Sequence, residues 1–468
     1  MQIRRWLSFA ALLSLWAMCL SCGQNYRLPI IQIPGDPGDP KLYHFAMTIS
    51  TNDPTINANV PGTAMQIDVV GDMDAGEALI GRGPIYATLL PTGAANRIYV
   101  ANSLEETVTT TTAAPQACTP GPVCPMGTVF TLTMPVGSAP SYLNSTEASN
   151  MYVILRNPSR APTEPQTPTI GVISVFQNTK TAEISLPAGS NPVAMVELPN
   201  GHKLYVVDQA TNSVYVIDTT SQQVRQTLSV GAAPTMALAS PDNSAVYVMT
   251  NVGVSVIDAL TDTVIGNLPV GATPTSITYD THNNWLYVTD TAGGVSIFDT
   301  AVAGGMLPNP KFVEPSGFAP GAMGVAPLPN GNKFYVLGTI GGTSLTLTAV
   351  DSKTFQRVIS QSSTAPNPYP LDLLNPLSDL TVTPPIIVPL PTIGYCMNVR
   401  FRFMVGASAD SGRVYVSSCD AGGTYIFQTS DDTGLLMLPS PNQPPILQPP
   451  PNPPLYPRQN PVFLITGR

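Results

Sequence analysis

The feature that most constrains this chain is an internal repeat. Leu204-Tyr205-Val206-Val207-Asp208 is followed by Val214-Tyr215-Val216-Ile217-Asp218, and the same pair of runs returns as Val246-Tyr247-Val248-Met249-Thr250-Asn251 with Val254-Ser255-Val256-Ile257-Asp258. A third copy joins Leu286-Tyr287-Val288-Thr289-Asp290 to Val295-Ser296-Ile297-Phe298-Asp299. From Tyr205 to Tyr247 to Tyr287 the period is 42 and then 40 residues, and Val-Gly-x-x-Pro links (Val230-Gly231 to Pro234, Val270-Gly271 to Pro274) punctuate it. Weaker copies centre on Tyr99, Tyr152, Tyr335 and Tyr415, making seven Tyr-Val units. Self-similarity at this period means stacked units, none of which buries its apolar face alone. With Pro 50 and Gly 37 in 468 residues a helical body is excluded.

Each unit contains β-branched and aromatic runs separated by turn residues, and reads as four short antiparallel strands. Such units arranged radially form a β-propeller, so the expected fold is all-β, a propeller of about seven four-stranded blades. The Tyr-Val-x-Asn/Asp strand, the Val-Ser-Val-Ile-Asp strand and the Val-Gly-x-x-Pro link resemble the YVTN family of propeller repeats, strongly over residues 191–300 and more loosely from Ile98 to Leu438. The long interval from Tyr335 to Tyr415 holds the Pro-heavy stretch 364–391 and is expected to be one insertion rather than an eighth blade. Ring closure is expected to pair an N-terminal strand, His44–Ser50 or Met65–Val70, with the final blade, helped by the strand 462–466.

Residues 1–21 place Arg4 and Arg5 before an apolar run, the pattern of a secretory signal, too short to span a membrane. Cys19-Leu20-Ser21-Cys22-Gly23 then resembles a bacterial lipobox, with Cys19 where that motif usually has Leu or Val. The resemblance implies that Cys22 is lipidated, and Gly23 rather than Asp after it points to the outer membrane. Residues 22–42 form a Pro/Gly-rich tether, 43–438 the propeller, and 439–468 a Pro-rich segment ending in a closing strand. Four cysteines remain after export, an even number in an oxidising compartment. They are expected to pair as Cys118 with Cys124, across a tight Pro/Gly loop, and Cys396 with Cys419.

The function classes narrow by charge and motif. Lys+Arg 20 against Asp+Glu 29 gives a net charge of −9 without basic runs, which argues against nucleic acid. With His 3, no zinc spacing, no Gly-x-Ser-x-Gly elbow and no Gly-Lys-Ser/Thr loop, no catalytic set, metal or cofactor is expected. His202 and His282 lie in polar turns and are expected to be surface residues.

Asn102, Asp208, Asn251 and Asp290 end the Tyr-Val strands. The family resemblance implies that the loops they enter lie on the pocket face, where these groups would meet a ligand; capping of their own turns is the simpler expectation. The repeated tyrosines are expected to pack between blades, and Trp285 is the one Trp beyond the signal segment. The sequence therefore predicts a lipid-anchored, monomeric envelope propeller serving as a non-enzymatic scaffold for a protein, glycan or small molecule. The alternatives are a propeller enzyme resembling the lactonases or cofactor-dependent oxidoreductases, and a surface-layer-like structural protein.

Overall fold

The computed structural model describes residues 45–51, 60–69, 72–90, 97–112, 130–146, 149–156, 167–314, 318, 321–340, 344–358, 367–371, 396, 399–438 and 460–466. They form eight four-stranded antiparallel sheets. Blades 2 to 8 run in chain order, each passing from its innermost to its outer strand, over 84–133, 140–185, 192–229, 236–268, 274–314, 324–370 and 403–438. Blade 1 is composite: Phe45–Thr51, Gly62–Asp68 and Met73–Ile80 supply its three outer strands, and Asn460–Thr466 its innermost. The innermost strands touch in sequence around a closed circle, the 460–466 strand contacting those of blades 2 and 8. The fold is an eight-bladed β-propeller.

The blade count corrects the expectation of about seven. All seven Tyr-Val units are blades, and between Tyr335 and Tyr415 the described residues hold only the end of blade 7 and the start of blade 8. The eighth blade comes from the two chain ends. Blade 8 already has four strands, so the N-terminal strands do not pair with it; Met47 pairs with Ile465 and Ile49 with Phe463 instead. Splitting one blade between the termini removes the free sheet edge that a sequentially built ring would leave.

The local patterning follows from position in the ring. The second strand of each blade is sandwiched between neighbouring blades, so Lys203–Asp208 and its counterparts are buried on both faces and show no alternation. Outer strands such as Gln223–Ser229 face solvent and carry polar residues. The link prolines start innermost strands at Pro84, Pro140, Pro192 and Pro274, where a missing N–H costs no ladder bond. Burial raises the hydroxyl pKa values of Tyr99, Tyr205, Tyr247, Tyr287, Tyr335 and Tyr415, consistent with packing between blades.

A repeated clamp joins neighbouring blades. The first residue of a second strand, two before the Tyr, reaches the turn between the third and outer strands of the next blade. Lys203 Nζ lies 2.8 Å from Asp262, and Tyr205 donates to the same carboxylate at 2.6 Å. Lys333 and Tyr335 repeat this on Asp432, Arg413 forks onto Asp72 at 2.6 and 2.8 Å, and Arg97 donates to Asn178 at 3.2 Å. The accepting residue has a left-handed backbone (φ 53° at Asp262, 57° at Asp432, 50° at Asp72, 51° at Asn178), which Asp and Asn tolerate best among residues with side chains.

Cys396 and Cys419 form a disulfide with Cα atoms 5.7 Å apart. The bridge ties the segment ahead of blade 8 to the turn after Arg413–Ser418; Cys396 itself is outside any strand. Cys22, Cys118 and Cys124 lie outside the described residues.

Candidate functional site

The four strand-ending residues sit at the end of the ring where the links enter the innermost strands. Asp208 is fully buried: Oδ1 accepts the N–H of Asn191 at 2.7 Å and of Ala210 at 3.1 Å, while Oδ2 accepts the Thr211 and Tyr215 hydroxyls at 2.7 and 2.5 Å. Asp290 is 2% exposed and takes the N–H groups of Ala292 and Gly294, both at 2.9 Å. Asn102, also fully buried, donates to Thr107 and Thr109. Only Asn251 is exposed, and its backbone N–H is held by Ala232 O at 2.9 Å. Asp208 and Asp290 thus spend their carboxylates on fixing turns and links, Asn102 spends its NH2 in the same way while its oxygen is left without a partner among the described residues, and the fold does not bring the four together.

The channel mouth at that end is occupied by the chain itself. Residues 399–402, just ahead of the innermost strand of blade 8, reach the innermost strands of blades 1 to 5. Arg400 donates to the carbonyls of Val193 and Thr235 and places its guanidinium 5.4 Å from the centre of the Tyr142 ring. Phe401 packs edge-on against Phe463 at 5.0 Å and against Tyr86 at 5.7 Å. Tyr86 and Tyr142 stack at 3.9 Å, and burial first, then their mutual proximity, pushes the Tyr86 hydroxyl well above its ordinary pKa. The disulfide at Cys396 anchors the start of this plug.

The opposite end carries a groove of about 510 Å³ where blades 6 and 7 meet, within the size range of small-ligand sites. His282, Asn283 and Trp285 come from the first turn and second strand of blade 6, Lys311 from its outer strand, Asn330, Gly331 and Asn332 from the first turn of blade 7, and Ser352, Lys353 and Phe355 from its third turn. Trp285 occupies the clamp position held elsewhere by Lys203, Lys333 and Arg413, and Phe355 the position of Asp262 and Asp432. The ion pair is replaced by an aromatic pair with ring centres 5.6 Å apart. Tyr287, which would complete the clamp, has a buried hydroxyl without a partner among the described residues.

Phe355 pays a conformational cost for this placement, with φ at 53°, unusual for a bulky side chain. Gly331, at φ 70°, lets the two first turns approach: a Cβ there would come within 2.2 Å of the His282 ring. Lys311 lies over the Trp285 ring at 5.3 Å. Neither Lys311 nor Lys353 has an ion-pair partner among the described residues, and no carboxylate lines the groove. The N–H and hydroxyl of Thr354, helped by the N–H and charge of Lys353, hold the nearby Asp351 carboxyl below its ordinary pKa.

His282 and Trp285 were visible in the sequence as a turn histidine and a lone tryptophan. The signal that marks them is the aligned repeat, in which Trp285 stands where the copies at Tyr99, Tyr205, Tyr335 and Tyr415 have Lys or Arg, while those at Tyr152 and Tyr247 have Asn150 and Ala245.

No protein-family profile matches the chain, and no curated protein sequence matches it. Solved structures do. Dihydro-heme d1 dehydrogenase NirN in complex with DHE is similar at a TM-score of 0.56 with 11% identity, covering 86% of this chain and 74% of its own. AztD from Citrobacter koseri is similar at 0.53 with 12% identity, covering 84% and 94%. The chain is a β-propeller. At these identities the likeness concerns the fold alone, and one neighbour is named as a dehydrogenase, so the role must be argued from the sites.

Proposed function

We propose that this chain is a propeller lipidated at Cys22, held at the outer membrane, that binds a partner without transforming it. The observation that carries the reading is the segment of Arg400 and Phe401 that crosses the link end of the ring. The enzymes its repeats resemble work in the central channel, whereas here the guanidinium is spent on backbone carbonyls of two blades and the ring on an aromatic cluster. What the molecule offers instead is a rigid ring with an open groove at the far end. The address rests on residues 1–23 of the sequence, and a monomer suits a receptor of this kind.

The test compares the full chain with its Cys22→Ser variant. The parent should sediment with membranes and need detergent for release, and the variant should become soluble. Both should melt a few degrees higher in the presence of envelope extract, since a ligand specific to the native state stabilises it by mass action. A soluble parent would overturn the anchor. Turnover of a lactone or a redox substrate by the purified chain would overturn the binding role.

A further inference from the structure

We propose that the groove between blades 6 and 7 binds an acidic saccharide, an inference that rests on the binding role above and names its ligand class. Three observations converge there. The protein carries a net charge of −9, yet this groove presents Lys311, Lys353 and His282 and no carboxylate. Asp280 and Asp351 lie beside the groove, held by donors of their own turns, and neither forms a salt bridge with the two ammonium groups, which suit an anion with more than one contact point.

The second observation is the wall between them. Trp285 and Phe355 form an aromatic surface bordered by Asn283, Asn330 and Asn332; Asn283 spends its NH2 on Asp280 and the Gly331 carbonyl and Asn330 its oxygen on the N–H of Asn332, leaving the Asn283 oxygen and the Asn330 NH2 for a ligand. Aromatic area next to amides that both donate and accept matches a sugar ring, whose C–H faces are apolar and whose edge bears hydroxyls. A bare inorganic anion would leave that wall unused.

The third is Ser352. It lines the groove, is 3% exposed, and its hydroxyl has no hydrogen-bond partner among the described residues. A buried polar group left unpaired in a native structure calls for a reason, and a ligand hydroxyl would supply one once a small rotation of the Ser352 side chain opens its oxygen to the groove. This joint also lacks the Lys–Asp clamp, as do those led by Asn150 and Ala245, and it alone of the three puts a bulky Phe355 at positive φ, a local cost of the kind that gathers at binding sites.

The experiment is a fluorescence titration of the exported chain, which begins at Cys22 on the reading above, so that Trp285 is the sole indole. The probes are oligomers of galacturonate, neutral galactose oligomers of the same length, and sodium sulfate. The galacturonate oligomer should give a saturable change at least tenfold tighter than the neutral oligomer or sulfate. Added salt should weaken it, and Lys311→Gln with Lys353→Gln should weaken it at least tenfold while leaving the melting temperature within a degree or two. No saturable signal, equal affinity for the neutral oligomer or for sulfate, or indifference to the two lysine changes would each overturn the proposal. A failed titration alongside a persisting thermal shift with envelope extract would overturn the groove assignment alone; loss of both would take the binding role with it.

Discussion

Removing residues 460–468 is expected to abolish the cooperative native state. That segment supplies the innermost strand of blade 1, and Val462, Phe463, Leu464 and Ile465 on it are 1, 8, 5 and 8% exposed. At roughly 1.5–3 kcal/mol for each buried apolar side chain the loss is about 6–12 kcal/mol, comparable to the whole stability of a typical domain. The truncation would also bare the ladder edge of Phe45–Thr51. Urea unfolding followed by circular dichroism should lose its sigmoidal transition, and size exclusion should show aggregates. A monomer with the parental midpoint would mean that the ring closes without this strand. A milder form, Leu464→Ala, should cost about 2–4 kcal/mol, because Leu464 packs with Tyr415, Ile426 and Leu438 of blade 8.

The second large effect is expected at the clamp between blades 7 and 8. Asp432→Ala leaves the Tyr335 hydroxyl buried without an acceptor and Lys333 with only the carbonyl of Thr429. It also puts Ala at φ 57°, where an ordinary side chain is strained. Breaking a partly buried ion pair by removing one partner, discounted for the remaining exposure of Lys333, gives a loss of about 2–4 kcal/mol. Asp432→Asn, which keeps the shape and an acceptor, should lose about half as much. The urea midpoints of the two variants and of Lys333→Met check this, with Asp432→Ala and Lys333→Met expected to be strongly non-additive. Additive losses would show that the pair does not act as a unit.

How far the sequence could be followed depends on whether the information was local. The Tyr-Val runs at Tyr99 to Tyr415 each encode a sandwiched second strand, so seven blades were legible as periodic copies. Blade 1 was not, because Phe45–Thr51 lacks the Tyr-Val core and its partner lies more than 400 residues away, at Asn460–Thr466. Nothing in either segment says that the two pair with each other rather than with a finished blade.

The same distinction separates the turn residues from the groove. Asp208 and Asp290 cap turns within a few residues of themselves, so a local rule could anticipate their hydrogen bonds. Trp285, Lys311, Asn332 and Phe355 belong to two blades and meet only once those blades pack. The missing clue was Trp two residues before the Tyr, whose meaning appears only when the clamp is seen at Lys203, Lys333 and Arg413.

Restoring the clamp at this joint tests the exchange most directly. Trp285→Lys with Phe355→Asp sacrifices an aromatic pair worth about 2–3 kcal/mol. It returns a Lys–Asp–Tyr287 clamp and relieves Phe355, together about 2–3 kcal/mol. Urea unfolding should therefore place this double variant within about 1 kcal/mol of the parent, while Trp285→Ala with Phe355→Ala falls about 2–3 kcal/mol below it. A restored clamp no more stable than the alanine pair would contradict the view that this joint is a modified copy of the others.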